Sequence, residues 1–157
     1  MENLRFIICS GETLSPNLIE SFFDAYESNC QLLNLYGSTE VMADVTFEIF
    51  SSRDDLKTKC IDGRTSIGKP IDNMRVEILN PDDDGIGELL VSGDGVASGY
   101  HHGEMLTDKF IPDPNRKGKL CFRTGDMGKI WNGRIILFGR SDNQVSQSFL
   151  STISLTI

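Results

Sequence analysis

The sequence predicts an α/β fold: a βαβ segment of a parallel sheet, followed by a small antiparallel, barrel-like β subdomain. Three observations lead there. Two short apolar runs, Arg5 to Cys9 and Gln31 to Leu35, flank a stretch in which Leu18, Ile19, Phe22, Phe23 and Tyr26 recur at helical spacing. From about residue 62 the period changes, and short strand-like runs separated by turn residues continue to Arg140. The length, 157 residues, suits one domain or slightly more.

Taken in order, Arg5 to Cys9 (RFIIC) reads as a buried strand that Ser10-Gly11-Glu12 ends. Ser15 followed by Pro16 is a helix start, a capping hydroxyl with proline in the first helical position. Gln31 to Leu35 is the second strand, so strand, helix and strand form a βαβ unit with a right-handed crossover. Arg75 to Leu79 alternates, and Asn80 to Gly85 is a loop. Glu88 to Val91 is a strand that leads into the spaced glycines Gly93, Gly95 and Gly99. Lys119 to Arg123 and Lys129 to Trp131 are strands, Asn132-Gly133 is a hairpin turn, and Arg134 to Phe138 returns from it. The expected division is an α/β part over 1–62, an antiparallel part over 63–140, and a hinge with a divergent tail over 141–157.

Composition narrows the function. A formal charge of −8 opposes binding to nucleic acid or an anionic membrane, because phosphates would be repelled. The four cysteines include no CxxC pair and only two histidines accompany them, which favours reduced thiols over a zinc site or a disulfide framework. The run Phe6 to Cys9 is shorter than a signal-peptide core, and no stretch reaches bilayer-spanning length. A cytoplasmic protein without nucleic-acid or membrane partners is expected.

Three polar clusters carry candidate chemistry. Asn34-Leu35-Tyr36-Gly37-Ser38-Thr39-Glu40 lies at the end of the second strand, where open parallel sheets bind ligands. It offers an aromatic face, a closely approachable backbone, hydroxyls and a carboxylate of the kind that serves magnesium beside phosphates. Arg123-Thr124-Gly125-Asp126 is placed between two strands, and its aspartate could accept ribose hydroxyls. Gly139-Arg140-Ser141-Asp142 follows the last strand. Taken singly, each reads first as a polar turn.

Together and in this order, with Ser10 to Leu14 and GELLVSGDGVASGY (Gly87 to Tyr100), they resemble the adenylate-forming superfamily. That superfamily includes acyl-CoA synthetases, luciferases and adenylation domains of nonribosomal peptide synthetases. The likeness runs from about Leu4 to Val145 and implies a piece of the large N-terminal adenylation domain. Within the superfamily, Cys9 to Glu12, the Phe22-Phe23-Asp24 face, Tyr36 to Val41 and Asp44-Val45-Thr46 resemble ebony-type synthetases, which join β-alanine to amines. The resemblance implies that Tyr36 stacks on adenine, with Gly11 beside the nucleotide, Asp126 on the ribose hydroxyls and Arg140 near the ribose. It implies Thr39 at the α-phosphate or reacting carboxylate, Glu40 as the Mg2+ ligand, and Asp142 as a hinge. Ile8, Ser10, Leu35, Ala43 and Asp44 would line the acyl pocket. It assigns no chemistry to GELLVSG.

The implied activity is ATP-dependent activation of a carboxylate or a β-alanine-like amino acid as an adenylate, then transfer to a phosphopantetheine thiol on a carrier domain or to CoA. The family's lysine-bearing phosphate loop has no counterpart upstream of Leu4, and Ser146 to Ile157 diverges from the family. The expectation is therefore a fragment that does not run the reaction alone. The alternative is a catalytically inactive nucleotide-binding or interaction remnant.

Overall fold

A computed structural model describes residues 4–26, 30–100 and 108–141, and its first helix begins where capping chemistry dictates. Ser15 is extended, its hydroxyl accepts from the Leu18 N–H at 3.2 Å, and Pro16 takes the first helical position. Helix α1 (Pro16–Ala25) then runs for ten residues. Its inner face buries Ile19 and sets Phe22 and Phe23 against Leu14, Leu32 and Phe50.

Strand β1 (Phe6–Cys9) precedes α1 and pairs in parallel with β2 (Gln31–Ser38), which completes the expected βαβ unit. The expectation of a buried first strand needs correction. Phe6 is 48% exposed and Ile8 62% exposed, because β1 is the sheet edge and only Ile7 and Cys9 pack on the α1 side. β2 also extends past Leu35 to Ser38, so the motif segment is largely strand.

The chain then turns antiparallel. β3 (Ala43–Phe50) folds back on β2, and a helical turn, α2 (Leu56–Lys59), leads through β4 (Cys60–Ile61) into β5 (Arg64–Pro70). β6 (Met74–Leu79), β7 (Gly87–Gly93), β8 (Phe110–Pro112), β9 (Leu120–Trp131) and β10 (Arg134–Arg140) follow. The sheet order is β1-β2-β3-β5-β10-β9-β7-β6, with β4 beside β5 and β8 beside β9. Among these pairs only β1–β2 is parallel, so the sheet is mixed.

Asn132-Gly133 forms the expected hairpin turn, with φ of 49° and 71°, the left-handed pair that a two-residue connection requires. The two strands expected on either side of Arg123-Thr124-Gly125-Asp126 are one continuous strand, β9. Gly125, with φ of 78°, bends β9 instead of ending it. Hydrogen bonding also crosses residue 62 without a break, since β5 pairs with β3 on one side and β10 on the other.

Val45 of β3, Ile67 of β5, Val76 of β6, Val91 of β7, Phe122 of β9 and Ile135 of β10 share one buried cluster. β3, third in the order, and β6, at its far end, thus share one core, so this part of the sheet curls on itself as a barrel-like subdomain must. β5 is the seam. The Asn34 amide donates to the Ser66 carbonyl at 2.9 Å, and the Thr46 hydroxyl donates to the Ile67 carbonyl at 2.7 Å. The Gly68 N–H donates to Ser66 Oγ at 2.7 Å. All of these groups are buried, so each bond also prevents an orphaned polar group.

Gly68 sits at φ 81°, and a Cβ there would lie 1.7 Å from the Phe47 carbonyl oxygen, a main-chain atom with nowhere to go. Gly63, at φ 71°, has open space around the same position. Gly63→Ala is expected to cost about 1–2 kcal/mol, the left-handed penalty alone. Gly68→Ala is expected to exceed about 4 kcal/mol, in the range reserved for broken architecture. Thermal and urea unfolding of both variants checks this, and equal effects would show that β5 is not pinned as described.

Candidate functional site

The C-terminal end of β2 presents Tyr36, Gly37 and Ser38. The β2–β3 register shifts between Tyr36 and Gly37, and the strands close so tightly that a Cβ on Gly37 would lie 1.7 Å from the Ala43 carbonyl oxygen. Only glycine fits there. Thr39–Val41 forms a single 3-10 turn, after which Met42 (φ 58°) and Ala43 (φ 79°) return the chain through left-handed conformations rare for such residues.

The bend at Gly125 brings Asp126 of β9 against Tyr36, ninety residues away in sequence. The Tyr36 hydroxyl donates to Asp126 Oδ2, and Arg140 Nη1 donates to Oδ1 at 2.9 Å. Arg140 Nη2 also reaches the Thr124 carbonyl at 3.3 Å. The Asp126 N–H is held by Thr124 Oγ1 at 3.0 Å. Glu88 fixes the bend, with Oε1 accepting the Gly125 N–H at 3.0 Å and Oε2 accepting Arg123 Nε at 3.0 Å and Nη2 at 2.5 Å.

Two cavities, each of about 480 Å³, meet at Gly37. The more enclosed one is walled by Gly11, Leu35, Tyr36, Asp126 and Arg140, with Phe138 and Arg64 completing a side. The shallower one is walled by Ser10, Ser38, Thr39, Ala43 and Asp44. There the Ser10 hydroxyl donates to Asp44 Oδ1 at 2.7 Å. Ser38 Oγ also belongs to this wall, buried and without a hydrogen-bond partner among the described residues.

The structure thus brings Gly11, Leu35, Tyr36, Asp126 and Arg140 together, and separately groups Ser10, Thr39, Ala43 and Asp44. Leu35, expected in the acyl pocket, lies on the Tyr36 side. Ile8 lines neither cavity and is largely exposed on the edge strand. Glu40 lies on the turn next to the shallower cavity, where its Oε1 accepts from the Tyr100 hydroxyl at 2.8 Å. Asp142 lies outside the described residues. Glu88, Thr124 and Tyr100 are the supports that the motif reading missed. The charges of Glu88 and Arg123 were visible in the sequence, but the β7–β9 register that joins them was not.

Burial raises the Tyr36 phenol well above its ordinary value, and the neighbouring Asp126 charge and hydrogen bond add to this. Partial burial works to raise Glu40, yet the opposing influences prevail and hold it below the usual carboxylate range. These are the Tyr100 hydrogen bond, its own N–H, the nearby Ser38 hydroxyl and the Arg140 charge, although Ser38 does not meet hydrogen-bond geometry. The same contact, with burial first, pushes Tyr100 up to about 12.

Among the described residues no cluster of three or more His, Cys, Asp or Glu could cage a metal, and no helix is long and apolar enough to cross a membrane. A lone carboxylate still suits Mg2+, which usually takes one or two carboxylates plus substrate phosphates. Glu40, an anion on an accessible turn beside a cavity, fits that use.

Comparison with known proteins gives a consistent picture. The family model described as AMP-binding enzyme matches residues 1–101. The β-alanyl-bioamine nonribosomal peptide synthetase ebony of Drosophila melanogaster is 38% identical over 152 residues, 91% of this chain and 17% of the relative. Tyrocidine synthase 3 of Brevibacillus parabrevis is 37% identical over 150 residues, which is 91% of this chain and 2% of the relative. The solved structure of PA1221, a nonribosomal peptide synthetase protein containing adenylation and PCP domains, superposes with a TM-score of 0.73 and 28% identity. That match covers 90% of this chain and 29% of the other. The chain therefore spans less than a third of each of these three proteins.

The raised Tyr36 phenol has a consequence for stability. Its folded value exceeds the unfolded value of 10.0, so its contribution is complete below pH 10 and declines as pH rises further. One such proton gives a slope of about 1.4 kcal/mol per pH unit. Urea unfolding between pH 9 and 11 is expected to show this loss, and Tyr36→Phe is expected to flatten the alkaline limb by about one proton. Identical slopes in the two proteins would contradict the buried, Asp126-bound phenol.

Proposed function

The chain belongs to the AMP-binding enzyme family, and from that premise we propose that it forms the nucleotide- and acid-facing part of an ATP-dependent carboxylate-activating enzyme. The observation that carries the reading is the junction of β2, β9 and β10, where Tyr36, Asp126 and Arg140 wall one cavity. Its volume, about 480 Å³, lies in the range of small-molecule sites.

Adenosine occupies the deeper cavity, with adenine against the Tyr36 ring, which its hydroxyl holds in place through Asp126. A carboxylate offers about four lone-pair sites, and Tyr36 and Arg140 each use one oxygen of Asp126. Two ribose hydroxyls can then bind Asp126 without displacing either neighbour. Gly37 joins this cavity to the shallower one, so Thr39 stands where the α-phosphate and the substrate carboxylate meet. Glu40 supplies the carboxylate for Mg2+, which neutralises phosphate charge when bound.

The substrate carboxylate attacks the α-phosphorus of ATP, forming an acyl-adenylate as pyrophosphate leaves. A phosphopantetheine thiol, on a carrier domain or CoA, then takes the acyl group and releases AMP. The protein's part in such chemistry is positioning and charge stabilisation. Ser10 and Asp44 give the acyl cavity an anionic, hydrogen-bonded wall, which suits a substrate carrying an ammonium group. Together with the likeness to ebony, this makes a β-alanine-like amino acid the substrate we propose. Leu35 lines the nucleotide cavity instead of the acyl one, and in the intact enzyme Asp142 serves as the hinge.

Asp126→Asn tests the ribose assignment. It removes the charge and replaces one acceptor with a donor, at a cost of roughly 1.5–3 kcal/mol for a charged hydrogen bond. AMP affinity is expected to fall about ten- to a hundred-fold, since 1.4 kcal/mol is tenfold. Calorimetric AMP titration and a melting curve on the same variant check this. A lower melting temperature with unchanged AMP affinity would reduce Asp126 to a structural residue. Pyrophosphate exchange with a panel of amino acids, after grafting residues 4–145 into a complete relative, tests the choice of β-alanine.

A further inference from the structure

Residues 94–100 follow β7 and carry Gly95 and Gly99, which have no part in the proposed chemistry. They fold back over the Thr39–Val41 turn. The Ala97 N–H donates to the Glu40 carbonyl at 2.9 Å, and the Tyr100 hydroxyl donates to Glu40 Oε1 at 2.8 Å. Gly95 eases the approach, since a Cβ there would lie 3.1 Å from the Val41 carbonyl oxygen and from Met74 Sδ, close enough that these neighbours would have to give by a few tenths of an ångström.

The other end of this clasp is fixed. The Tyr100 ring stands edge-on to Phe110 with centroids 5.3 Å apart, and Phe110 packs on Phe122 at 5.1 Å. Phe110 and Phe122 are both buried, and Phe122 lies on β9, the strand that also carries Asp126. Glu40 is therefore held at its main chain and its side chain by one segment, and the side-chain hold is referred to the ribose-facing strand.

We propose that Tyr100 is a positioning residue for Glu40, orienting the carboxylate that would hold a divalent cation beside the nucleotide phosphates. The inference rests on the reading of Glu40 as the cation's carboxylate. A single hydroxyl uses one of about four lone-pair sites on the carboxylate, so the clasp orients Glu40 without blocking a cation. A ligating carboxylate is itself commonly hydrogen-bonded, and loss of such support typically costs 10–100-fold in metal affinity. Tyr100→Phe deletes only the hydroxyl and keeps the ring on Phe110.

The test is ATP affinity of the full chain against Mg2+ concentration, with AMP affinity in the absence of metal and melting temperature measured alongside. The Mg2+-dependent gain is expected to vanish in Glu40→Gln. In Tyr100→Phe it is expected to require 10–100-fold more Mg2+, with AMP affinity unchanged. Adding Tyr100→Phe to Glu40→Gln is expected to change nothing further, because the two act as one unit. A wild-type Mg2+ response in Tyr100→Phe, with the response lost in Glu40→Gln, overturns the Tyr100 inference and leaves the metal reading standing. A wild-type Mg2+ response in Glu40→Gln, or no ATP binding by the wild-type chain, overturns both. Equal losses of AMP and Mg2+-ATP affinity would make Tyr100 purely structural and overturn the inference.

Discussion

Everything else in this structure depends on β5 being pinned between two unlike stretches of sheet. Its Ser66 and Ile67 carbonyls are met by Asn34 and Thr46 from β2 and β3, and Gly68 takes a conformation and a closeness that admit no side chain. An unmatched carbonyl in that interior would cost about 1–3 kcal/mol, so the side chains that reach across are as necessary as the ladder. Asn34 opens the segment that ends in Glu40. One end of that motif is therefore an architectural fastening, and the other is the candidate chemistry.

With β5 pinned, β10 lies beside it and carries β9 into register, and the bend at Gly125 points Asp126 at Tyr36. The candidate site is thus a product of the seam. No single element contains it, for Tyr36 belongs to the βαβ end and Asp126 to the curled end. Glu88 and Tyr100 complete the arrangement from β7 and the segment after it, one holding the Gly125 bend and the other the Glu40 turn. GELLVSG, Gly87 to Gly93, reads as framework in sequence, yet in space Glu88 within it and Tyr100 beyond it brace both halves of the cavity system.

Local chemistry made some of this legible. Ser15-Pro16 marked the start of α1 and Asn132-Gly133 the hairpin, because caps and tight turns are decided by neighbouring residues. β3 was harder to read, since Thr46 and Glu48 are buried while Phe47 is 39% exposed, the inverse of the usual binary pattern. Thr46 is inside because its hydroxyl meets the Ile67 carbonyl of the seam, and Glu48 because Arg134 Nε on β10 donates to it at 2.9 Å. β1 looked buried for the opposite reason, since an apolar run says nothing about whether a neighbour covers both of its faces. The motif residues Tyr36, Asp126 and Arg140 were visible in the sequence. Their meeting was not, because it depends on a register shift and a bent strand.

The account's central claim is that the Tyr36–Asp126 junction is where a nucleotide sits. A crystal structure of the chain with AMP measures this directly. The account expects adenine on the Tyr36 ring and both ribose hydroxyls within hydrogen-bond distance of Asp126, with Arg140 still paired to that carboxylate. AMP bound elsewhere, with the cavity between β2, β9 and β10 empty and its hydrogen bonds unchanged, would contradict it.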